Sequence, residues 1–186
     1  MTKSVIISGP PAVGKTTVAH ALAKEFDLKY IGGGDILKEL AREEGFDSQG
    51  DDWWDTEDGM RFLERRAESE TFDRKVDNKL KELFYQGGMV ITSYTLPWLV
   101  KNGIKIWLDG SHENSTMRMQ NRDNIPRQEA FAITKKRYLK NKTLYKKLYD
   151  FDFGENEEIF DIVINTDELN AEQVIDMAKA AVRRLL

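Results

Sequence analysis

The chain has 186 residues, of which 40% are hydrophobic and 32% charged, and this length suits one α/β unit around a single core. A net charge of −4 at pH 7 gives no reason to expect nucleic acid or an anionic membrane as a partner. The sequence contains no cysteine, which excludes disulfides and thiolate metal sites, and we expect a cytoplasmic monomer. No run approaches the ~18 consecutive apolar residues of a membrane-spanning helix.

Short apolar runs alternate along the chain with longer segments of helical periodicity, which is the pattern of βαβ units and a parallel sheet. Strands are predicted at residues 4–8, 28–31, 89–92, 104–108 and 162–164. Helices are predicted at residues 14–26, 34–44, 56–84, 113–121, 127–149 and 171–186. The predicted fold is therefore α/β, a three-layer single domain over residues 1–186 with a five-stranded parallel sheet and helices on both faces.

A phosphate-binding loop follows the first predicted strand. Residues 9–16 match the spacing G-x-x-x-x-G-K-T between an apolar strand and a helix, which is the context that the motif requires and a chance Gly/Pro turn would lack. Backbone N–H groups of such a P-loop and of the following helix N-terminus bind phosphate oxygens. The predicted ATP-binding residues are Gly9, Pro10, Pro11, Ala12, Val13, Gly14, Lys15, Thr16 and Thr17.

Two residues of the loop have predicted chemical roles. We expect the Lys15 ammonium to contact the β- and γ-phosphates of ATP and the Thr16 hydroxyl to bind Mg²⁺. The small size favours a kinase of metabolites, and the Asn-Lys-x-Asp tetrad of GTPases is missing. Two highly charged stretches, residues 38–81 and 118–147, do not read as core and are expected over the carboxyl ends of the strands, where open α/β sheets bind ligands.

Several further segments resemble one family in order and spacing. They are residues 30–38, 62–68, 72–77, 104–108 and 161–166, together with Arg118, Arg122, Arg137, Tyr145, Tyr149, Phe151 and Asp152. Over almost its whole length the chain resembles cytidylate kinases of the archaeal type, which are P-loop nucleoside monophosphate kinases.

The resemblance implies transfer of the ATP γ-phosphoryl group to CMP or dCMP, with Mg²⁺ as cofactor. It implies a core of residues 1–32, 82–121 and 150–186, a monophosphate-binding region at about 33–81 and a lid at about 122–140. The implied catalytic residues are Lys15, Arg122 and Arg137. The implied substrate-binding residues are Gly34, Asp35, Lys38 and Asp77, with Lys38 in the place of a family arginine.

The chain departs from the family pattern at two places. Thr92-Ser93-Tyr94 replaces the family's E-G-R after the third strand, and Leu144 replaces the second lid arginine. Both changes remove charges that would act on the transferred phosphoryl group. The nearby groups that could compensate are Arg61, Arg65 and Arg66 on the acceptor side, Lys140 and Lys142 on the lid side, and Asp35 or Asp109 for magnesium-bound water.

Three questions stay open from the sequence. Trp53 and Trp54, in an apparent insertion at residues 46–56, could stack on a base, although a surface loop with one packed indole is favoured. His20 and His112 lie far apart, so no metal site is expected from them. The alternatives to a cytidylate kinase are a P-loop kinase with another nucleotide or a hydroxylated metabolite as acceptor, and a degenerate ATP-binding regulatory protein.

Overall fold

The computed structural model describes residues 3–46, 61, 62, 65 and 71–186. Its sheet has five strands: β1 (Val5–Ser8), β2 (Lys29–Gly32), β3 (Met89–Thr92), β4 (Ile104–Asp109) and β5 (Ile162–Asn165). Their order is β2-β3-β1-β4-β5, and every neighbouring pair is parallel. The predicted strands are confirmed to within one residue at each end; β1, β3 and β4 are buried on both faces and are nearly continuous apolar runs.

Helices occupy most of the remaining described chain. They are α1 (Lys15–Glu25), α2 (Gly33–Glu43), α3 (Thr71–Gln86), α4 (Leu96–Leu99), α5 (His112–Asp123), α6 (Arg127–Tyr149) and α7 (Ala171–Leu185), with one 3₁₀ turn at Glu157–Ile159. Neither α4 nor the 3₁₀ turn is predicted from the sequence, since each is too short to show a helical period. Among the described residues, no helix is both long and apolar enough to cross a lipid bilayer.

The predicted helix at 56–84 is tested only in part. Its described C-terminal portion is α3, which begins at Thr71 and extends two residues beyond the prediction. Residues 61, 62 and 65 are also helical. Most of the sequence between 47 and 70 lies outside the described residues, and so do Trp53, Trp54 and Arg66.

The sheet separates two hydrophobic cores. Val5 and Ile7 of β1 belong to the core under α1 and α7, whereas Ile6 belongs to the core under α2, α3 and α4. Successive side chains of a strand point to opposite faces, so one buried strand supplies both cores. All three side chains are fully buried. The three-layer α/β arrangement that the sequence predicts is confirmed.

A third cluster of apolar side chains lies between β4, α4 and the C-terminal half of α6, and we call it the aromatic cluster. Its buried members are Trp107, Tyr145, Leu148 and Phe153, and packed around them are Tyr94, Trp98, Tyr138, Leu144, Tyr149, Phe151 and Phe160. The Trp98 and Phe151 rings stack with centroids 4.4 Å apart and an interplanar angle of 4°. Stacked and edge-to-face rings fix the end of α6 against the sheet.

The region at 122–140 contains no element of its own. It comprises the last turn of α5, a break at residues 124–126 and the first part of α6, which continues without interruption to Tyr149. Asn124 ends α5 in the left-handed conformation, with φ 52°, and Pro126 precedes the first turn of α6. Asn170 caps α7, since its side chain accepts a hydrogen bond from Gln173 N at 2.9 Å.

Asp77 connects three elements inside the fold. Its carboxylate, buried to 4% exposure, accepts hydrogen bonds from the Thr95 hydroxyl and from the Tyr149 hydroxyl, the latter at 2.6 Å. These bonds join α3 to the start of α4 and to the end of α6. Burial raises the pKa of Asp77 to about 6, against the lowering effect of the two hydroxyl donors.

Asp77→Asn tests this buried carboxylate. Because its pKa is higher in the folded state than in the unfolded chain, the folded state retains a proton between about pH 4 and pH 6 that the unfolded chain has lost. Asp77 therefore lowers the free energy of unfolding as pH rises through this window, by about 3 kcal/mol in total. The free energy of unfolding would be measured with denaturant at pH 4.5 and pH 7. We expect it to fall less between these two pH values in Asp77→Asn than in the wild type. The control is Asp176→Asn, at an exposed position, whose free energy of unfolding should change with pH as in the wild type. An equal change between the two pH values in all three proteins would contradict the prediction.

Candidate active site

The loop between β1 and α1 has the backbone of a phosphate cradle. Gly9, Ala12 and Gly14 all have positive φ, at 147°, 58° and 101°. A Cβ at Gly9 would lie 2.2 Å from the Leu108 carbonyl oxygen, so only glycine allows the loop to pass this close to β4. No side chain caps α1 at Gly14. The N–H groups of its first turn therefore lack helical acceptors and are available to an anion.

The Lys15 side chain folds back over this loop. Its Nζ donates hydrogen bonds to the carbonyl oxygens of Gly9, at 2.8 Å, and Pro10. It also lies 4.6 Å from the centroid of the Tyr94 ring. Burial lowers the pKa of Lys15 and the nearby Arg137 lowers it further, whereas the Tyr94 side chain acts to raise it. The ammonium group thus stands at the point where terminal phosphates would enter the loop.

Thr16 and Thr17 follow Lys15 and are exposed at the start of α1. Thr16 offers a hydroxyl oxygen there, and Asp109 ends β4, the strand next to β1. Mg²⁺ prefers oxygen ligands and is commonly held by one or two protein groups, with water and substrate phosphates completing the shell. This donor set fits magnesium. Asp35, the other candidate, uses its carboxylate to accept a hydrogen bond from Gly32 N at 2.9 Å, at the start of α2.

Each of the two histidines packs against an aromatic ring. The His20 ring packs against Tyr30 and the His112 ring against Phe131, each with centroids 4.3 Å apart. In the part of the chain that the structure describes, no group of three or more potential His, Asp or Glu ligands is found.

The residues that replace E-G-R have structural partners at the end of β3. Ser93 Oγ accepts a hydrogen bond from Leu96 N at 3.1 Å, which supports the start of α4. The Thr92 hydroxyl lies 3.3 Å from the Tyr30 hydroxyl. Tyr94 contacts Lys15, as described above. This edge of the site is polar but contributes no charge from β3.

The predicted substrate-binding residues occupy two levels. Gly34 and Asp35 are exposed and Lys38 is half-buried, all on α2 beside the carboxyl end of β2. Asp77 is buried more deeply, and both of its oxygens already accept hydrogen bonds. On the acceptor side Arg65 forms an ion pair with Glu44 at 2.8 Å.

The predicted lid arginines differ in their surroundings. Arg137 of α6 lies close enough to Lys15 and to Asp123 to lower the pKa of each. Arg122 is 60% exposed and forms an ion pair with the adjacent Asp123, with Nη2 and Oδ2 2.7 Å apart. Arg137 therefore lies within electrostatic range of the Lys15 ammonium, whereas Arg122 pairs with its neighbour Asp123.

The two lysines that could compensate for the missing lid arginine, Lys140 and Lys142, also differ in their surroundings. Lys142 forms an ion pair with Glu155. Lys140 is exposed on α6. Leu144, at the position of the missing arginine, packs into the aromatic cluster.

Two contacts at the site are missed by sequence reasoning. Arg118 donates to the carbonyl oxygen of Val13 at 3.1 Å and to both oxygens of Thr166 at 2.8 Å, and so ties the P-loop to the segment after β5. Tyr94 contacts Lys15 although the two residues are 79 positions apart in the sequence. They meet because β1 and β3, which precede them, are neighbouring strands. Motif spacing signals neither contact.

Comparison with known proteins agrees with this geometry. A cytidylate kinase from Sulfurisphaera tokodaii is 32% identical over 186 residues, covering 98% of this chain and 96% of that protein. A cytidylate kinase from Pyrococcus horikoshii is 31% identical, covering 97% of this chain and 88% of that protein. The structure of a shikimate kinase from Acinetobacter baumannii superposes with a TM-score of 0.57 at 18% identity, covering 100% of this chain and 93% of the other, and supports the P-loop kinase fold.

The family comparison covers most of the chain. Residues 4–168 match the model of the cytidylate kinase-like family. This range runs from the residue before β1 to the segment after β5 and includes the P-loop, α2, α3 and α6. The chain therefore belongs to the cytidylate kinase-like family.

Proposed function

We propose that this protein transfers the γ-phosphoryl group of ATP to a nucleoside monophosphate, CMP or dCMP, giving ADP and the corresponding diphosphate. The observation that carries the proposal is the convergence of three positive features on one loop. These are the uncapped N-terminus of α1, the Lys15 ammonium and the Arg137 guanidinium of α6. Family membership and the names of the relatives support a nucleoside monophosphate as the acceptor.

The proposed reaction is an in-line displacement. An oxygen of the acceptor phosphate forms a bond to the γ-phosphorus, and the bond from that phosphorus to the β,γ-bridging oxygen breaks, so that ADP leaves. The backbone N–H groups of the loop and Lys15 hold the donor phosphates in place, and Arg137 stabilises the charge on the transferred group. Magnesium bound with ATP would neutralise phosphate charge, and Thr16 is the residue that would hold it.

The acceptor is proposed to lie between α2 and the end of β3. Gly34, Asp35 and Lys38 stand at this edge, and the Lys38 ammonium suits a phosphate as a point charge rather than as a fork. Asp77 could bind a substrate hydroxyl by exchanging it for one of its present hydroxyl donors. We further propose that the protein is a cytoplasmic monomer.

A panel of acceptors tests the proposal. ADP release in a coupled assay would be measured with CMP, dCMP, UMP, AMP, GMP and shikimate at equal concentration. We expect the largest kcat/KM with CMP or dCMP. A preference for another acceptor would favour the alternative that the uncharged end of β3 suggests, a P-loop kinase with a different substrate. Binding of magnesium-ATP without turnover of any acceptor would indicate a regulatory ATP-binding protein.

Lys15→Ala should abolish turnover while the fold persists. The variant removes the ammonium group from the phosphate loop, and we expect kcat to fall by at least about 100-fold. The melting temperature should stay close to that of the wild type, because Lys15 is half-buried and its ammonium group donates to carbonyl oxygens of its own loop. Near-normal activity in a folded variant would contradict the proposed role.

Arg137→Ala tests the lid contribution separately. Arg137 is exposed on α6 yet lies within electrostatic range of Lys15, and we expect its loss to lower kcat by about 10- to 100-fold. Lys136→Ala is the matched control, since Lys136 is the preceding residue of the same helix and is also exposed. Steady-state rates with ATP and CMP provide the measurement. Equal effects of the two substitutions would show that only the overall charge of α6 matters.

A further inference from the structure

Tyr94, at the position where the family resemblance expects an arginine, touches the reactive lysine of the loop. The Lys15 ammonium lies 4.6 Å from the centroid of the Tyr94 ring. An ammonium group over an aromatic face is attracted by the electron-rich ring. The Arg137 guanidinium also acts on the Lys15 ammonium and repels it, since both are positively charged. Tyr94 is therefore the attractive side-chain neighbour that opposes this repulsion among the described residues.

The Tyr94 ring is itself fixed from behind. Its centroid lies 5.6 Å from that of Phe153 in an edge-to-face contact and 6.3 Å from that of Tyr145. Phe153 is fully buried and Tyr145 is 3% exposed. Packed rings of this kind restrict rotation, because each rotamer change would open a void or produce a clash. The position of Tyr94 is thus set by the aromatic cluster.

The second departure from the family pattern falls in the same cluster. Leu144, which stands where another arginine is expected, packs against the buried members of the aromatic cluster, as Tyr94 does. A guanidinium in such an apolar wall would be desolvated without a bound anion to pair with it, which is unfavourable. The two substitutions therefore go together: both replace a cation with apolar surface on one continuous wall.

We propose that Tyr94 is a positioning residue that holds the Lys15 ammonium in place for the phosphates of ATP, in a site where a ring stands in place of a cation. This inference rests on the proposed function for its effect on turnover. Its effect on ATP binding requires only the loop itself. Of the two rings behind Tyr94, Tyr145 belongs to the C-terminal half of α6 and Phe153 to the segment after it, and so the helix that supplies Arg137 also helps to hold Tyr94.

The test compares three substitutions at this position. Tyr94→Leu removes the ring and the hydroxyl, and we expect kcat with CMP to fall by about 10- to 100-fold, as for a misplaced catalytic group. Tyr94→Phe keeps the ring, and we expect a loss of only about 2- to 10-fold. Tyr94→Arg adds a cation beside Lys15 and Arg137 and should not exceed the wild-type rate. The KM for CMP should change by less than about 3-fold in Tyr94→Phe, because Lys15 serves the donor.

Calorimetric titration with magnesium-ATP separates this inference from the proposed function. We expect Tyr94→Leu to weaken ATP binding roughly 10-fold and Tyr94→Phe to weaken it less, whichever acceptor the enzyme uses. Failure of every monophosphate in the turnover assay would then overturn the proposed function and leave this binding result to decide the role of Tyr94. Melting temperatures show whether each variant is folded, and Tyr85→Leu, at a tyrosine 62% exposed on α3, is the control.

Each result bears on the inference. The inference is supported if Tyr94→Phe loses less kcat and ATP affinity than Tyr94→Leu does, and if Tyr85→Leu keeps the wild-type values. Wild-type ATP affinity and kcat in a folded Tyr94→Leu variant would overturn it, and so would equal losses in the phenylalanine and leucine variants. A Tyr94→Arg variant faster than the wild type would also overturn it, because the position would then merely lack a cation. If Tyr94→Leu does not fold, Tyr94→Phe takes its place. Weaker binding of magnesium-ATP than in the wild type then supports the inference, and wild-type binding overturns it.

Discussion

The confinement of one ammonium group is the interaction on which the site depends. Lys15 Nζ is held by carbonyl oxygens of its own loop and by a ring from the end of β3, while a guanidinium from α6 approaches it. That confinement requires β1 and β3 to be neighbours, and it requires Gly9 to pass within contact of β4. The sheet order therefore serves the charge arrangement directly, since the central strand delivers the loop and both neighbours border it.

The edge of β3 shows how a site can exchange charge for packing. Ser93 supports a short helix, Tyr94 joins a ring cluster, and Leu144 joins the same cluster from α6. Burial of apolar and aromatic surface stabilises this corner without the desolvation penalty of an unpaired guanidinium. On the proposed mechanism, the positive charge that acts on the transferred phosphoryl group would come from the loop and from Arg137, and the geometry of these groups would matter correspondingly more.

Much of this arrangement is predictable from the sequence, for identifiable reasons. The strands are continuous apolar runs, and the loop has a spacing that only a phosphate cradle requires, so the α/β layers and the position of Lys15 follow from local patterns. The contact of Tyr94 with Lys15 and that of Asp77 with Tyr149 depend instead on elements that meet only in the folded chain. The four-residue α4 contains Pro97 and spans barely one turn, which gives periodicity nothing to detect. The predicted catalytic and substrate-binding roles stay predictions, those of Lys15 and Arg137 as well as those of Arg122 and Lys38.

The uninterrupted course of α6 has a mechanical consequence. The helix is bounded by two residues in the left-handed conformation, Asn124 before it and Asp150 after it, and its C-terminal half is immobilised among rings. Arg137 stands eight residues, about 12 Å, before the fixed Tyr145, and the start of the helix is about 27 Å away. A tilt of about 10° around the fixed end would shift Arg137 by roughly 2 Å and the helix start by roughly 5 Å. Such a tilt would carry α5 along, because Phe131 and Thr134 in the first part of α6 contact His112 and Thr116 of α5, and Arg137 would move less than the start of the helix.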